Sequence, residues 1–204
     1  MNRMIRTLTL AAPMVAAAFT LVATNAKAQW ISPVEGGRTT VTLSPAFLAD
    51  LTTAKVTPSA AYPSQLYLDQ IDFPISSGAI SLETAKLQVL HTGGINLVAE
   101  SRQIRLEELI LTTYGEQAYI SALVVADGRF FGRVNVFDVT LPGNTTSPLE
   151  PKNGEFLLGG LELHLDPAGA SALNDVLGVK TFADNLYVGY AQSLIFVPLN
   201  AQVE

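Results

Sequence analysis

The chain has 204 residues, 49% of them hydrophobic and 15% charged, with 12 Lys plus Arg against 18 Asp plus Glu and no cysteine. A net charge of −6 offers no cluster of cations to neutralise phosphates, which excludes nucleic acid as a partner. The missing cysteine excludes disulfide scaffolds, thiolate zinc sites, iron–sulfur clusters and thiol nucleophiles, while the length and apolar content suit one globular domain with a sizeable core.

Residues 1–28 have the form of a cleaved signal peptide. Arg3 and Arg6 make a positive start, 8–22 is an uncharged, largely apolar run, and Ala26-Lys27-Ala28 supplies the small residues of a cleavage site. The run falls short of the ~20 apolar residues that a membrane helix needs. Cleavage before Gln29 leaves 29–204 as a single exported domain, periplasmic or extracellular, with nine basic against 18 acidic groups. No later stretch of ~18 apolar residues offers a transmembrane span.

Between Thr39 and Leu141 apolar and polar residues alternate, with turn signals at short intervals. That pattern predicts a mostly β domain, an antiparallel β-sandwich carrying two short helices. Ala85, Leu87 and Val89 share one face, and Lys86 and Gln88 the other. Gly93-Gly94 then break the run before Ile95, Leu97 and Ala99. Segments 117–126 and 129–141 flank Asp127-Gly128, a pair suited to the two positive φ angles of a tight hairpin.

Two strands change phase. Phe130, Val134 and Val136 are in register with one another and out of register with Phe137, Val139 and Leu141, so one extra residue near Val136 lets both sets face the core as a β-bulge. Ile104 and Leu106 give way to Leu109 and Leu111 across Glu107-Glu108 in the same manner.

Ser44-Pro45 and Asp166-Pro167 each place a capping side chain before a proline, which has no N–H to lose at the first helical position. Phe47, Leu48 and Leu51 then share one helical face, as do Leu173, Val176 and Leu177, with Gly178 able to close the second helix. The segments 41–46 and 163–168 agree in pattern, as a device used twice or by coincidence. Prolines, glycines and asparagines in 142–154 predict a surface loop.

Templates for catalysis fail. No Gly-x-Ser-x-Gly elbow and no His-Glu-x-x-His motif occurs. Glu107 and Glu108 are adjacent, so a strand sends them to opposite faces and they cannot flank one bond. His164 lies on the polar face of its strand, a solvated imidazole. His91 follows Leu87 and Val89 in phase and points toward the apolar side. There it is either a core histidine bonded to a carbonyl or a ligand contact, with Gly93 and Gly94 allowing backbone or ligand to approach closely. Beyond the hairpin tip, Phe130 shares phase with the core, leaving Phe131 on the other face beside Arg129 and Arg133. An exposed ring flanked by guanidinium groups is a contact for a ligand or partner. Tyr187 and Tyr190 form a second aromatic pair.

His91-Thr92-Gly93-Gly94-Ile95, with the later Leu163-His164-Leu165-Asp166-Pro167, resembles the HtaA-type domain of bacterial surface and secreted haem-uptake proteins. The resemblance covers about 73–177 and implies a two-sheet, β-rich domain with a small helix. It further implies haem held by a tyrosine of the opening segment, with the glycine-pair histidine, here His91, supporting that tyrosine. The opening Gln29-Trp30-Ile31-Ser32 has no such tyrosine, and only Tyr62 and Tyr67 precede His91. The chain is therefore expected to be an exported, non-enzymatic module without a resident cofactor or metal, meeting a protein, glycan or small ligand at the surface or serving in the cell envelope. The alternative is a haem or small-ligand carrier using His91.

Overall fold

A computed structural model describes residues 31–143 and 149–199; the expected signal peptide lies outside them, as does the middle of the expected 142–154 loop. In chain order the elements are β1 (Ile31–Val34), β2 (Gly36–Leu43), α1 (Pro45–Thr53), β3 (Val56–Ala61), β4 (Gln65–Tyr67), β5 (Gln70–Ser81), β6 (Lys86–His91) and β7 (Gly94–Ala99). They continue with β8 (Arg102–Thr112), β9 (Ala118–Ala126), β10 (Arg129–Thr140), β11 (Glu155–Leu165), α2 (Pro167–Leu177) and β12 (Tyr187–Phe196).

Every strand pairing is antiparallel, and eight strands close into a ring: β5–β2–β12–β11–β10–β9–β8–β6 and back to β5. β1 and β4 attach to β5, β7 attaches to β8, and β3 to β7. The expected sandwich is thus corrected to a barrel. Alternation reports that one face of each strand is dry, and a sandwich and a barrel meet that condition equally. What separates them is a pair of narrow seams, where 88–90 of β6 meets 110–112 of β8 and 137–140 of β10 meets 162–165 of β11.

The local expectations have physical counterparts. Asp127 and Gly128 both have positive φ, 47° and 76°, which matches the twist of β9 and β10 that they join. The β9–β10 register skips Val136, passing from Asn135–Ser121 to Phe137–Ile120, and this bulge brings Val136 and Val139 both into the core. A second bulge follows Glu107 in β8 and lets Ile104, Leu106, Leu109 and Leu111 all be buried. At that bend β8 changes partner from β7 to β6. Ala85 stands in the turn before β6, at φ 57°, and not on the strand itself.

Phe130 departs from its expected core position and is 67% exposed. A bulge at Phe131 alters the phase near the hairpin tip, and β11 joins β10 only from Phe137 onward. Among the described residues, the ring of Phe130 therefore has no neighbouring strand of β11 beside it.

Both helices start as their caps require. The Ser44 hydroxyl accepts from the Phe47 N–H at 3.0 Å, and the Asp166 carboxylate accepts from the Ala168 N–H at 2.7 Å, each satisfying a donor that the first turn leaves open. β2 and β11, which lead into the helices, are the two neighbours of β12, with Leu43 and Leu163 both in register with Gly189. The helices therefore leave the same end of the barrel. α1 packs on β3 and β12, and α2 on β8 and β10. Phe47 meets Phe182, which follows α2, with ring centroids 6.1 Å apart. The interior is apolar, with Leu87, Val89, Ile104, Leu111, Leu161 and Ile195 at or near zero exposure. One interior cavity of about 40 Å³, lined only by apolar residues such as Phe73, Leu109 and Phe137, is far smaller than the 300–1,000 Å³ of ordinary ligand sites.

Candidate functional site

β6 ends with His91 pointing into the barrel, 4% exposed. Its Nδ1 lies 3.0 Å from the Leu109 carbonyl of β8 and its Nε2 lies 2.7 Å from the Thr39 hydroxyl of β2. A carbonyl only accepts, so Nδ1 carries the hydrogen and Nε2 accepts from Thr39. The Thr39 oxygen in turn lies 2.8 Å from the Ser193 hydroxyl of β12, which donates to it. The ring and that of Phe73 make a T-shaped contact, with centroids 6.4 Å apart. Burial lowers the imidazole pKa from 6.5 to about 4, against the opposing pull of the Leu109 carbonyl, so the ring is neutral. Four strands are joined by this one buried chain of polar groups.

The glycine pair beside it makes room for backbone. At Gly93, φ is 81° and a Cβ would run into Ser64; at Gly94 it would strike the Leu106 carbonyl of the neighbouring strand. Tyr62 and Tyr67, the tyrosines that precede His91, are 94% and 75% exposed. Among the described residues, the groups that bond to or make a ring contact with His91 are Thr39, Leu109 and Phe73.

At the hairpin tip the expected trio divides. Arg133 Nη1 donates to the Glu108 carbonyl at 2.9 Å and to the Ser121 carbonyl at 3.3 Å, and Nη2 lies 3.9 Å from the Glu108 carboxylate, so it ties β10 to the β8 bulge. Phe131, 63% exposed, and Arg129 instead face a surface cleft of about 610 Å³ between the hairpin and α2. Arg102, Asp175 and Val176 also line it. The sequence marks none of these three as part of a site, Val176 being read only as one residue of the apolar face of α2, because nothing local shows that α2 lies against the start of β8.

Outside the barrel His164 is partly covered. Its ring centroid is 5.3 Å from that of Tyr187, its Nδ1 is 3.3 Å from the Asn185 carbonyl, and Glu162 is 3.9 Å away. Asp138, across the strand pair from His164, has its carboxyl pKa raised, first by desolvation and then by the charge of Asp166, while His164 opposes. Glu107 forms an ion pair with Arg105 at 3.4 Å. Among the described residues no group of three or more His, Cys, Asp or Glu is placed to hold a metal, and no helix is long and apolar enough to cross a membrane.

No family model and no curated protein matches the sequence. Solved structures do match. The C-terminal domain of HtaA from Corynebacterium glutamicum superposes with a TM-score of 0.63 at 15% identity, over 82% of this chain and 99% of that one. The N-terminal domain of the same protein gives 0.58 at 13% identity, over 81% and 98%. A domain-swapped dimer of a C-terminal-domain variant gives 0.53 at 17% identity, over 87% and 99%. The closed ring with its attached strands and two helices is therefore the fold of an HtaA domain.

Proposed function

We propose that the chain is an exported, non-enzymatic binding module that works at its outer surface, and that His91 serves the fold instead of a cargo. The observation that carries this reading is the state of the imidazole. Both ring nitrogens are spent on Leu109 and Thr39, and the nearby cavity of about 40 Å³ has no room for a macrocycle. Against the haem that the family resemblance implies stands the want of a tyrosine bonded to His91 among the described residues, since a supporting histidine without a tyrosine to orient does not hold iron. Export rests on the form of residues 1–28. A non-enzymatic role is supported by the scatter of the chemical groups: His91 is inside, His164 is outside, and the acids are spread along the strands. The partner or ligand meets the surface, where Phe131 and Arg129 are presented, or the module serves in the architecture of the envelope.

The test is a titration of purified protein with haemin, followed by absorbance. The expected result is no shift of the Soret band that depends on His91. A saturable shift abolished by His91→Ala, in a variant shown by circular dichroism to keep the β fold, overturns the reading in favour of a haem carrier.

A further inference from the structure

The hairpin tip is fastened to the first residues of β8. Ile104 and Arg129 are both in register with Ala126. The Asp127 carboxylate accepts from the Gln103 N–H at 2.9 Å, and the Asp127 N–H donates to the Gln103 carbonyl at 2.9 Å. Arg102 and Arg129 are thereby brought to one end of the sheet. Beneath them α2 terminates at Gly178, whose φ is 70°. A Cβ at Gly178 would fall on the Arg102 guanidinium, so the glycine both ends the helix and leaves space for a cation at its carbonyl terminus, where a cation is favoured. The bulge at Phe131 sets that ring on the wall of the cleft, with Val176 of α2 also lining it.

The described residues contain five arginines. Arg38, Arg105 and Arg133 are paired with Asp72, Glu107 and Glu108. Arg102 and Arg129 have no side-chain hydrogen bond or ion pair among the described residues, and both line this one cleft. Its two carboxylates, in contrast, already have donors: Asp127 from Gln103, and Asp175 from the Ser171 hydroxyl at 3.3 Å. The donors left unused are therefore two forked guanidinium groups, matched to an oxyanion, and they adjoin an exposed ring. The volume of about 610 Å³ lies within the range of small-molecule sites.

We propose that the cleft between the β9–β10 hairpin and α2 binds a small amphipathic organic anion, with a flat apolar body against Phe131 and Val176 and an oxyanion on Arg102 and Arg129. This rests on the reading of the chain as a binding module, and it names a site and a ligand class for it.

The probe is 8-anilinonaphthalene-1-sulfonate, titrated against the purified protein by fluorescence, with N-phenyl-1-naphthylamine as the same ring system without the anion. Saturable binding of the sulfonate is expected, weakened about tenfold or more by Arg129→Ala and by Phe131→Ala, as for loss of a charged hydrogen bond or a buried anchor. Arg38→Ala, which removes an arginine elsewhere, is expected to leave it unchanged, and the neutral dye should bind at least about tenfold more weakly. Equal affinity in wild type and Arg129→Ala, an equal loss in Arg38→Ala, or no saturable binding at all overturns the proposal. If the neutral dye binds as tightly as the sulfonate and depends on Phe131, the ligand class is wrong while the binding module stands. The module reading itself fails by a different signal, the His91-dependent Soret shift.

Discussion

Thr39 donates its hydroxyl to Nε2 of His91 across 2.7 Å, and in doing so joins β2 to β6, two strands that are not neighbours but flank β5 on either side. Replacing Thr39 with valine keeps the shape and removes both functions of the oxygen, since Nε2 loses its donor and the Ser193 hydroxyl loses its acceptor. Leaving buried polar groups unmatched costs about 1–3 kcal/mol each. Thr39→Val is expected to lower the urea midpoint accordingly, and an unchanged midpoint would mean that the network contributes nothing.

The pH dependence follows from the same imidazole. Its folded pKa of about 4 lies below the ordinary 6.5, so the unfolded chain takes up this proton first as the medium is acidified. The stability due to a neutral His91 is complete above about pH 6.5 and is lost progressively down to about pH 4. Across that window the loss is on the order of 3 kcal/mol. Urea unfolding at pH 7.5 and 4.5 measures it. His91→Phe should flatten the difference, because carboxylates are common to both proteins and the histidine is not.

Gly94→Ala puts a methyl group against the Leu106 carbonyl and the Glu107 Cα on the paired strand. Backbone has no other rotamer to adopt, so the β7–β8 pair must separate, at a cost of about 2 kcal/mol or more. Thermal unfolding reads the effect. Gly143→Ala, where nothing among the described residues lies within 4 Å of the added carbon, is expected to leave the midpoint nearly unchanged.

Asp166 caps α2 and also contributes to the raised carboxyl pKa of Asp138. Asp166→Asn retains a good capping side chain and removes one negative charge. The Asp138 pKa should fall toward the ordinary carboxylate value in a ¹³C NMR titration. Asp166→Ala should produce the same fall together with a loss of about 1 kcal/mol in stability, from the missing cap. A constant Asp138 pKa in both variants would show that desolvation alone sets it.

These relationships differ in how far the sequence reveals them, and the dividing line is distance along the chain. The Asp127-Gly128 turn, the bulges at Val136 and after Glu107, and the caps Ser44 and Asp166 depend on residues a few positions apart. Each was legible from spacing and turn chemistry. The partners of His91 were not, because Thr39 is 52 positions away and Ser193 is 154 positions from Thr39. Alternation placed His91 on the dry side but carried no trace of which hydroxyl would meet it. Ring closure was hidden for the same reason, resting on a β6–β8 pairing that leaves the pattern of either strand unaltered. Phe130 was misplaced because phase along a strand indicates a side, while burial also needs a second layer on that side. The cleft shows the limit most plainly: Phe131 and Arg129 were visible at the hairpin tip, but Arg102 and Val176 join them only through the docking of α2.

The two seams have a consequence for motion. With so few residues in register at 88–90 against 110–112 and at 137–140 against 162–165, the cylinder is expected to open as two curved halves along short joints, the first of them also bridged by the bond between His91 and the Leu109 carbonyl. One half holds β6, β5, β2, β12 and β11, and the other holds β8, β9 and β10 with β7 and β3 attached. Subglobal opening follows the boundaries with the fewest cross-links, so amide hydrogens along both joints should exchange with deuterium together and ahead of those in the middle of each half. A cylinder that parts in this way exposes unsatisfied strand edges on both pieces at once.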